Sequence, residues 1–144
     1  MKIGLKVTFK DPENPAGVIN AQFATARSHP EMLELLRDIA KKDVAESVAM
    51  QKLDNAVEQL KRSDDPEAMQ EELLALRNAS DDATLAVVEA SRLFVVTGFR
   101  LAGASEEQAE KLAGIVDMAD LAILKAKCLY GAGSLDFTKE GGRL

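Results

Sequence analysis

Ser28 to Arg62 reads SHPEMLELLRDIAKKDVAESVAMQKLDNAVEQLKR, with no glycine and, after Pro30, no proline. Ser28 followed three residues later by Glu31 is a capping-box start, the serine serving the first free N–H groups and the glutamate reaching back. Met32, Leu36, Ala40, Val44 and Val48 step by four; Met50, Leu53, Val57 and Leu60 then alternate between three and four. The stretch predicts one helix of about 30 residues, about 45 Å long at 1.5 Å per residue. The change of step makes the buried stripe drift around the axis, so its two ends face different neighbours. Asp38–Lys42 and Glu58–Arg62 have the i,i+4 spacing of surface ion pairs.

Upstream, KIGLKVTFK (residues 2–10) alternates strictly: Ile3, Leu5, Val7 and Phe9 on one face, Lys2, Lys6, Thr8 and Lys10 on the other. That is a half-buried strand whose lysines discourage pairing with wrong partners. DPENPAG is a turn, rich in Pro, Asp, Asn and Gly. VINAQFATARS then reads as a second strand, completing a hairpin with Ile19, Ala21 and Phe23 inward, or as a short helix capped by Asn14 with Pro15 in its first turn. The hairpin is the preferred reading, since a lone strand leaves its backbone unpaired; a helix here would require the first strand to pair with another chain.

Downstream, Ser63-Asp64-Asp65-Pro66-Glu67 breaks the long helix and caps the next, Asp65 as cap and Pro66 at the first helical place. This second helix runs to about Asn78 with Met69, Leu73 and Leu76 inward. Ser80-Asp81-Asp82 is read as the cap of a third, with Leu85, Val88, Val95, Phe99 and Ala102 on one side. FVVTGF (Phe94 to Phe99) has strand-like composition, but the preceding cap and spacing favour helix, ended by Gly103. Ser105-Glu106-Glu107-Gln108 is another capping box. The last helix reaches Tyr130, with Gly131 and Gly133 as its stop. The tail SLDFTKEGGRL has weak signals, although Leu135 and Phe137 have the character to dock. The expected fold is mainly α: an N-terminal strand or hairpin (1–27), a bundle of about four helices (28–131) and a tail (132–144), one domain overall.

The chain has 144 residues, one domain's worth. Aromatics are 4 % with no Trp, so the core is expected to be aliphatic. Net charge is −6, distributed as +2 over residues 1–30, −5 over 31–80 and −3 over 81–144. An acidic helical body repels phosphate, which argues against nucleic-acid binding. A single cysteine, Cys128, rules out an intrachain disulfide and is compatible with a reducing compartment. Neither a signal peptide nor a membrane span is evident, so a cytoplasmic location is expected.

The last helix carries the functional question. Ala109, Leu112, Val116, Ala119, Ile123, Ala126 and Tyr130 form an unbroken series, widened by Ile115, Ala122 and Leu129 into a core face. Leu121, Leu124 and Cys128 lie on the far side and are apolar too. A helix apolar around most of its girth is central or sits in an interface. Asp117 and Asp120 share one side between the two zones, with Lys127 beyond. As a pair they invite a divalent cation or acid–base work, but hard cations want six or more oxygens, and no Glu-x-x-His accompanies them. A polar seam is the plainer reading. His29 lies at a loop, Cys128 has no local cation to activate it, and no Gly-rich phosphate loop, HExxH, CxxC or GxSxG motif is present. Gly98 and Gly103 are read as a close helix approach and a helix stop. Arg92 and Arg100 are candidates for a partner's acid or an anion, or part of a solvated face.

MKIGLKVTF, the acidic helices after it and the GAGSLDFTKEGGRL end together resemble, in architecture, the tail assembly chaperones of long-tailed bacteriophages. The resemblance implies a non-enzymatic assembly role and carries over no site residue. The function expected is a non-enzymatic interaction or assembly protein without cofactor, a homo-oligomer or bound to a protein partner, with Leu121, Leu124, Cys128, Arg92 and Arg100 as contact residues. Two alternatives remain open: a small helical ligand- or metal-binding enzyme using Asp117 and Asp120, and an acidic regulatory or inhibitory binder.

Overall fold

A computed structural model describes residues 4–131 and 133–138. The order is β1 (Leu5–Lys10), β2 (Val18–Phe23), α1 (Pro30–Lys61), a short 3-10 helix (Pro66–Met69), α2 (Gln70–Leu101), α3 (Glu106–Ile115), α4 (Met118–Tyr130) and β3 (Ser134–Asp136). The fold is mainly helical, with a long first helix after an N-terminal strand pair, as the sequence predicts. Ile3 and Lys2 of the predicted strand lie outside the described residues. The chain forms two compact units, Met1–Leu36 with Ser91–Leu144, and Arg37–Ala90; α1 and α2 contribute residues to both.

The first unit is built on a three-stranded sheet of order β2-β1-β3. β1 and β2 are antiparallel, Val7 opposite Ala21, so the hairpin alternative holds. β3 joins β1 in parallel, Leu135 beside Val7, and residues 133–138 of the tail are therefore tied down: Leu135 and Phe137 are both buried. A strand there lay below the reach of sequence because three residues carry no periodicity to detect. The lysine-bearing strand, expected to guard an edge, is in the middle of the sheet.

Leu5, Val7 and Phe9 face inward and are sealed from solvent. All five phenylalanines are buried, and the ring contacts link them into one cluster. Phe23 stacks edge-on against Phe94 and Phe99 at centroid distances of 5.3 and 5.0 Å, and Phe9 meets Phe99 at 6.1 Å and Phe137 at 5.4 Å. Such tilted pairs set the positive edge of one ring on the negative face of another. The core is thus organised by aromatics as well as aliphatics, few but concentrated. FVVTGF is helical, and Gly98 is where Phe23 lies directly on α2: a Cβ would collide with the ring's outer carbons. The Ala24 N–H donates to the Gly98 carbonyl at 3.0 Å, stitching the end of β2 to the helix. Gly103, at φ 115°, ends α2, with the Gly103 and Ala104 N–H groups donating to Arg100 and Phe99. The predicted Ser105 cap is present, its Oγ accepting from the Gln108 N–H at 3.1 Å.

The second unit consists of the remaining parts of α1 and α2 and the 3-10 helix. Among its more protected positions in α1, Ile39, Lys42, Glu46, Ala49, Leu53, Ala56 and Leu60 alternate three and four, with Asp38 and Asp43 half-buried beside them. In α2, Leu73, Leu76, Ser80, Ala83, Val87 and Ala90 show the same alternation, with Ala86 half-buried beside Val87. This is a heptad seam. It replaces the predicted step-four line, whose Val44 and Val48 are exposed, and keeps Leu53 and Leu60 of the four–three series that followed, while Met50 and Val57 of that series are exposed. A step of four advances about 40° each time, so that line leaves any fixed neighbour within a few turns. Lys42 and Glu46 keep their charges wet while their stems cover the seam. The Asp38–Lys42 ion pair forms at 3.1 Å, whereas Glu58 meets Lys61 and not Arg62.

Two predicted helix boundaries move. Ser80-Asp81-Asp82 does not start a helix: α2 runs unbroken from Gln70 to Leu101, because no glycine or proline interrupts it before Gly98 and Ser80 fills a tight place in the seam. α1 begins at Pro30, the favoured first helical position, which leaves Ser28 outside the helix, its N–H donating to Thr25 Oγ1 at 3.4 Å.

Candidate interaction surface

The predicted last helix is two helices. α3 ends at Ile115, Val116 is extended, and Asp117, also extended at φ −87° and ψ 179°, caps α4. Asp117 Oδ1 accepts from the Asp120 N–H at 2.8 Å. The Asp117-x-x-Asp120 pair is therefore a helix start, one carboxylate serving a free backbone donor and both lying at the positive helix end. Asp120 itself is 4 % exposed. Among the described residues no group of three or more His, Cys, Asp or Glu side chains is placed to hold a metal ion.

The break resets the helical phase and turns the predicted faces inside out. Leu124 and Cys128, assigned to a contact surface, are sealed within the chain, and Leu121 is half-buried. Cys128 Sγ lies 3.4 Å from the Ala24 carbonyl, to which it donates, and the Ala26 N–H donates to the Cys128 carbonyl at 2.9 Å. Burial pushes this thiol up to about 11, a backbone hydrogen bond at Ala26 pulling only partly against it. Such a thiol is protonated at neutral pH and unsuited to nucleophilic work.

Ala119, Ala122, Ala126, Leu129 and Tyr130, predicted as core, by contrast face outward, and Met118 joins them. Met118 is 88 % exposed, Tyr130 80 % and Leu129 42 %, with Ala119, Ala122 and Ala126 exposed between them. At about 100° per residue these six share an arc of about 120°, the width of a core-facing stripe, and none of them is charged. The missed signal was Asp117 with Asp120 three places on, immediately before an apolar run. Sequence periodicity ran through the break by coincidence.

The arginines part company. Arg92 is ion-paired to Glu110 of α3, so it braces two helices of the first unit; Arg100 is exposed near the end of α2. His29 lines a cavity of about 100 Å³ with Gly4, Gln22 and Leu101. Its ring Nδ1 is buried, while its backbone N–H donates to the Thr25 carbonyl at 2.9 Å. A larger cleft of about 580 Å³ lies over the sheet, lined by Lys6, Thr8, Asn20, Gln22, Gln108 and residues 102–104. Further exposed apolar side chains occur in the second unit: Val44, Val48, Leu74, Leu85 and Val88.

No known protein family, characterised protein or solved structure matches the chain. Among the described residues no helix is long and apolar enough to cross a membrane.

Proposed function

We propose that the protein is a non-enzymatic interaction or assembly protein, working as a homo-oligomer or bound to a protein partner. The observation that supports this is the uncharged outer face of α4, where Met118 and Tyr130 are almost fully exposed. Single exposed apolar residues are ordinary; a continuous stripe of core-like width on one helix is the pattern of a surface made to be covered. The exposed valines and leucines of the second unit add to it. The narrower assembly-chaperone reading draws on the architectural resemblance alone.

The catalytic alternative loses its main support, because Asp117 is committed to capping α4. Light scattering at rising concentration, alone and with Met118→Asp, tests the proposal. The expected result is a mass above that of one 15.5 kDa chain that falls in the variant while helicity is unchanged. A strict monomer up to about 0.5 mM, with no dye binding to exposed apolar surface, overturns it.

A further inference from the structure

β2 is an outer strand of the sheet, and among the described residues its edge is unpaired from Val18 to Gln22; just beyond, Ala24 is bonded to Gly98 of α2. The Lys6 N–H donates to the Gly133 carbonyl and the Phe137 N–H to the Thr8 carbonyl, so Lys6 and Thr8 turn their backbone groups toward β3. Leu5, Val7 and Phe9 therefore turn theirs toward β2, where they meet Phe23, Ala21 and Ile19. That leaves the N–H and C=O groups of Val18, Asn20 and Gln22 pointing away from the sheet. Among the described residues no other hydrogen bond reaches them, and all three residues are exposed.

Proteins commonly blunt such an edge with charge, proline, a bulge or brevity. β3, the other edge, is three residues long and carries Asp136. β2 has none of these devices: VINAQF is uncharged, regular and six residues long, while the lysines sit on the already paired β1. A cleft of about 580 Å³ lies over the face of the sheet that carries Lys6, Thr8, Asn20 and Gln22, within the range of ligand sites. Among the described residues Lys6 is its only charged lining residue, and no carboxylate lines it.

We propose that the open edge of β2 takes an extended acidic segment of a partner polypeptide as a fourth strand. Main-chain bonds to Val18, Asn20 and Gln22 supply affinity, as in other strand additions, and side chains supply choice. Strands are spaced about 4.8 Å apart, which sets Lys6 about 10 Å from the added strand, across Gln22. A glutamate lying opposite Gln22 and the long Lys6 side chain together span that gap. Glu106 and Glu107 at the start of α3 restrict the match to a carboxylate near Lys6 rather than an acidic run. Residues 102–104 and Gln108 line the same cleft, so other parts of the chain border the face on which the glutamate would lie, and a single segment meets less of them than the sheet of a second copy.

The test is selection of a displayed library of random heptapeptides on the intact chain, with Gln22→Pro as the control surface. Proline removes the outward Gln22 N–H and no ladder bond, a position where strands tolerate it. The expected winners alternate β-forming residues and carry at least one Asp or Glu. They bind Gln22→Pro and Lys6→Glu at least tenfold more weakly, and slow amide exchange at Val18, Asn20 and Gln22. Four results overturn the proposal: no enrichment over the control; winners rich in Lys or Arg; helical winners indifferent to Gln22→Pro; and slow exchange at those amides in the protein alone that grows with its concentration, since a second copy then holds the edge. Lys6→Glu and the exchange readout keep the test decisive if Gln22→Pro fails to fold. The α4 face is untouched by either variant, so the mass measured by light scattering succeeds or fails on its own.

Discussion

The carboxylate of Asp117 holds the backbone N–H of Asp120 at 2.8 Å, and that one bond divides the C-terminal region into two helices. Without it Val116 and Asp117 have little reason to leave the helical conformation. Asp117→Ala is expected to lower stability by about 1 kcal/mol, the usual worth of a cap, and Asp117→Asn by much less. Denaturant unfolding monitored by circular dichroism measures both. If the alanine variant is as stable as the parent, the cap has no energetic role.

Gly98 and Phe23 make a second pair whose fit is specific. Any side chain at position 98 meets the Phe23 ring. Gly98→Ala gains helix propensity of just under ~1 kcal/mol but overpacks a core site, which typically costs about 1–3 kcal/mol. The net expectation is destabilisation, relieved when Phe23→Leu is added. A double-mutant cycle reads the coupling directly; additive effects would show that the contact does not limit the packing.

The seam in the second unit separates residues that look alike in the sequence. Ile39→Ala empties a position that is 2 % exposed and is expected to cost about 2–5 kcal/mol. Val44, 65 % exposed, is expected to tolerate lysine within about 0.5 kcal/mol. Equal losses at the two sites would restore the step-four stripe and refute the heptad seam.

Cys128 gives the protein an alkaline weakness. The unfolded thiol ionises near 9.0, whereas the folded one holds its proton to about 11. Between those values the unfolded chain has released a proton that the native chain retains. Stability is therefore intact below pH 9 and falls as pH rises toward 11, by up to roughly 2–3 kcal/mol at 1.36 kcal/mol per unit. Denaturation at pH 8.5 and pH 10.5 measures the slope, and Cys128→Ala should flatten it. An unchanged slope in the variant would place the alkaline loss in other groups.

Much of the architecture was legible in the residues themselves. Alternation marked β1 and β2, the absence of glycine and proline marked α1, and Ser105 and Gly103 marked a cap and a stop, because each of these signals acts over a few neighbouring residues. The same locality misled at Ser80-Asp81-Asp82, where capping chemistry met a helix with a seam to continue along. It misled again at Asp117, where a cap was mistaken for a polar seam.

Length, charge, the helical class and the strand pair were thus settled by the chain's local chemistry alone. Which side of each helix is covered was decided by tertiary structure: Leu124 and Cys128 are inside and Met118 and Tyr130 outside because a two-residue break rotated α4. The sheet order, too, came only from the folded chain, since β3 pairs with β1 across more than a hundred residues. A helix of apolar residues has several faces of similar composition, and burial selects among them only when the neighbours are in place.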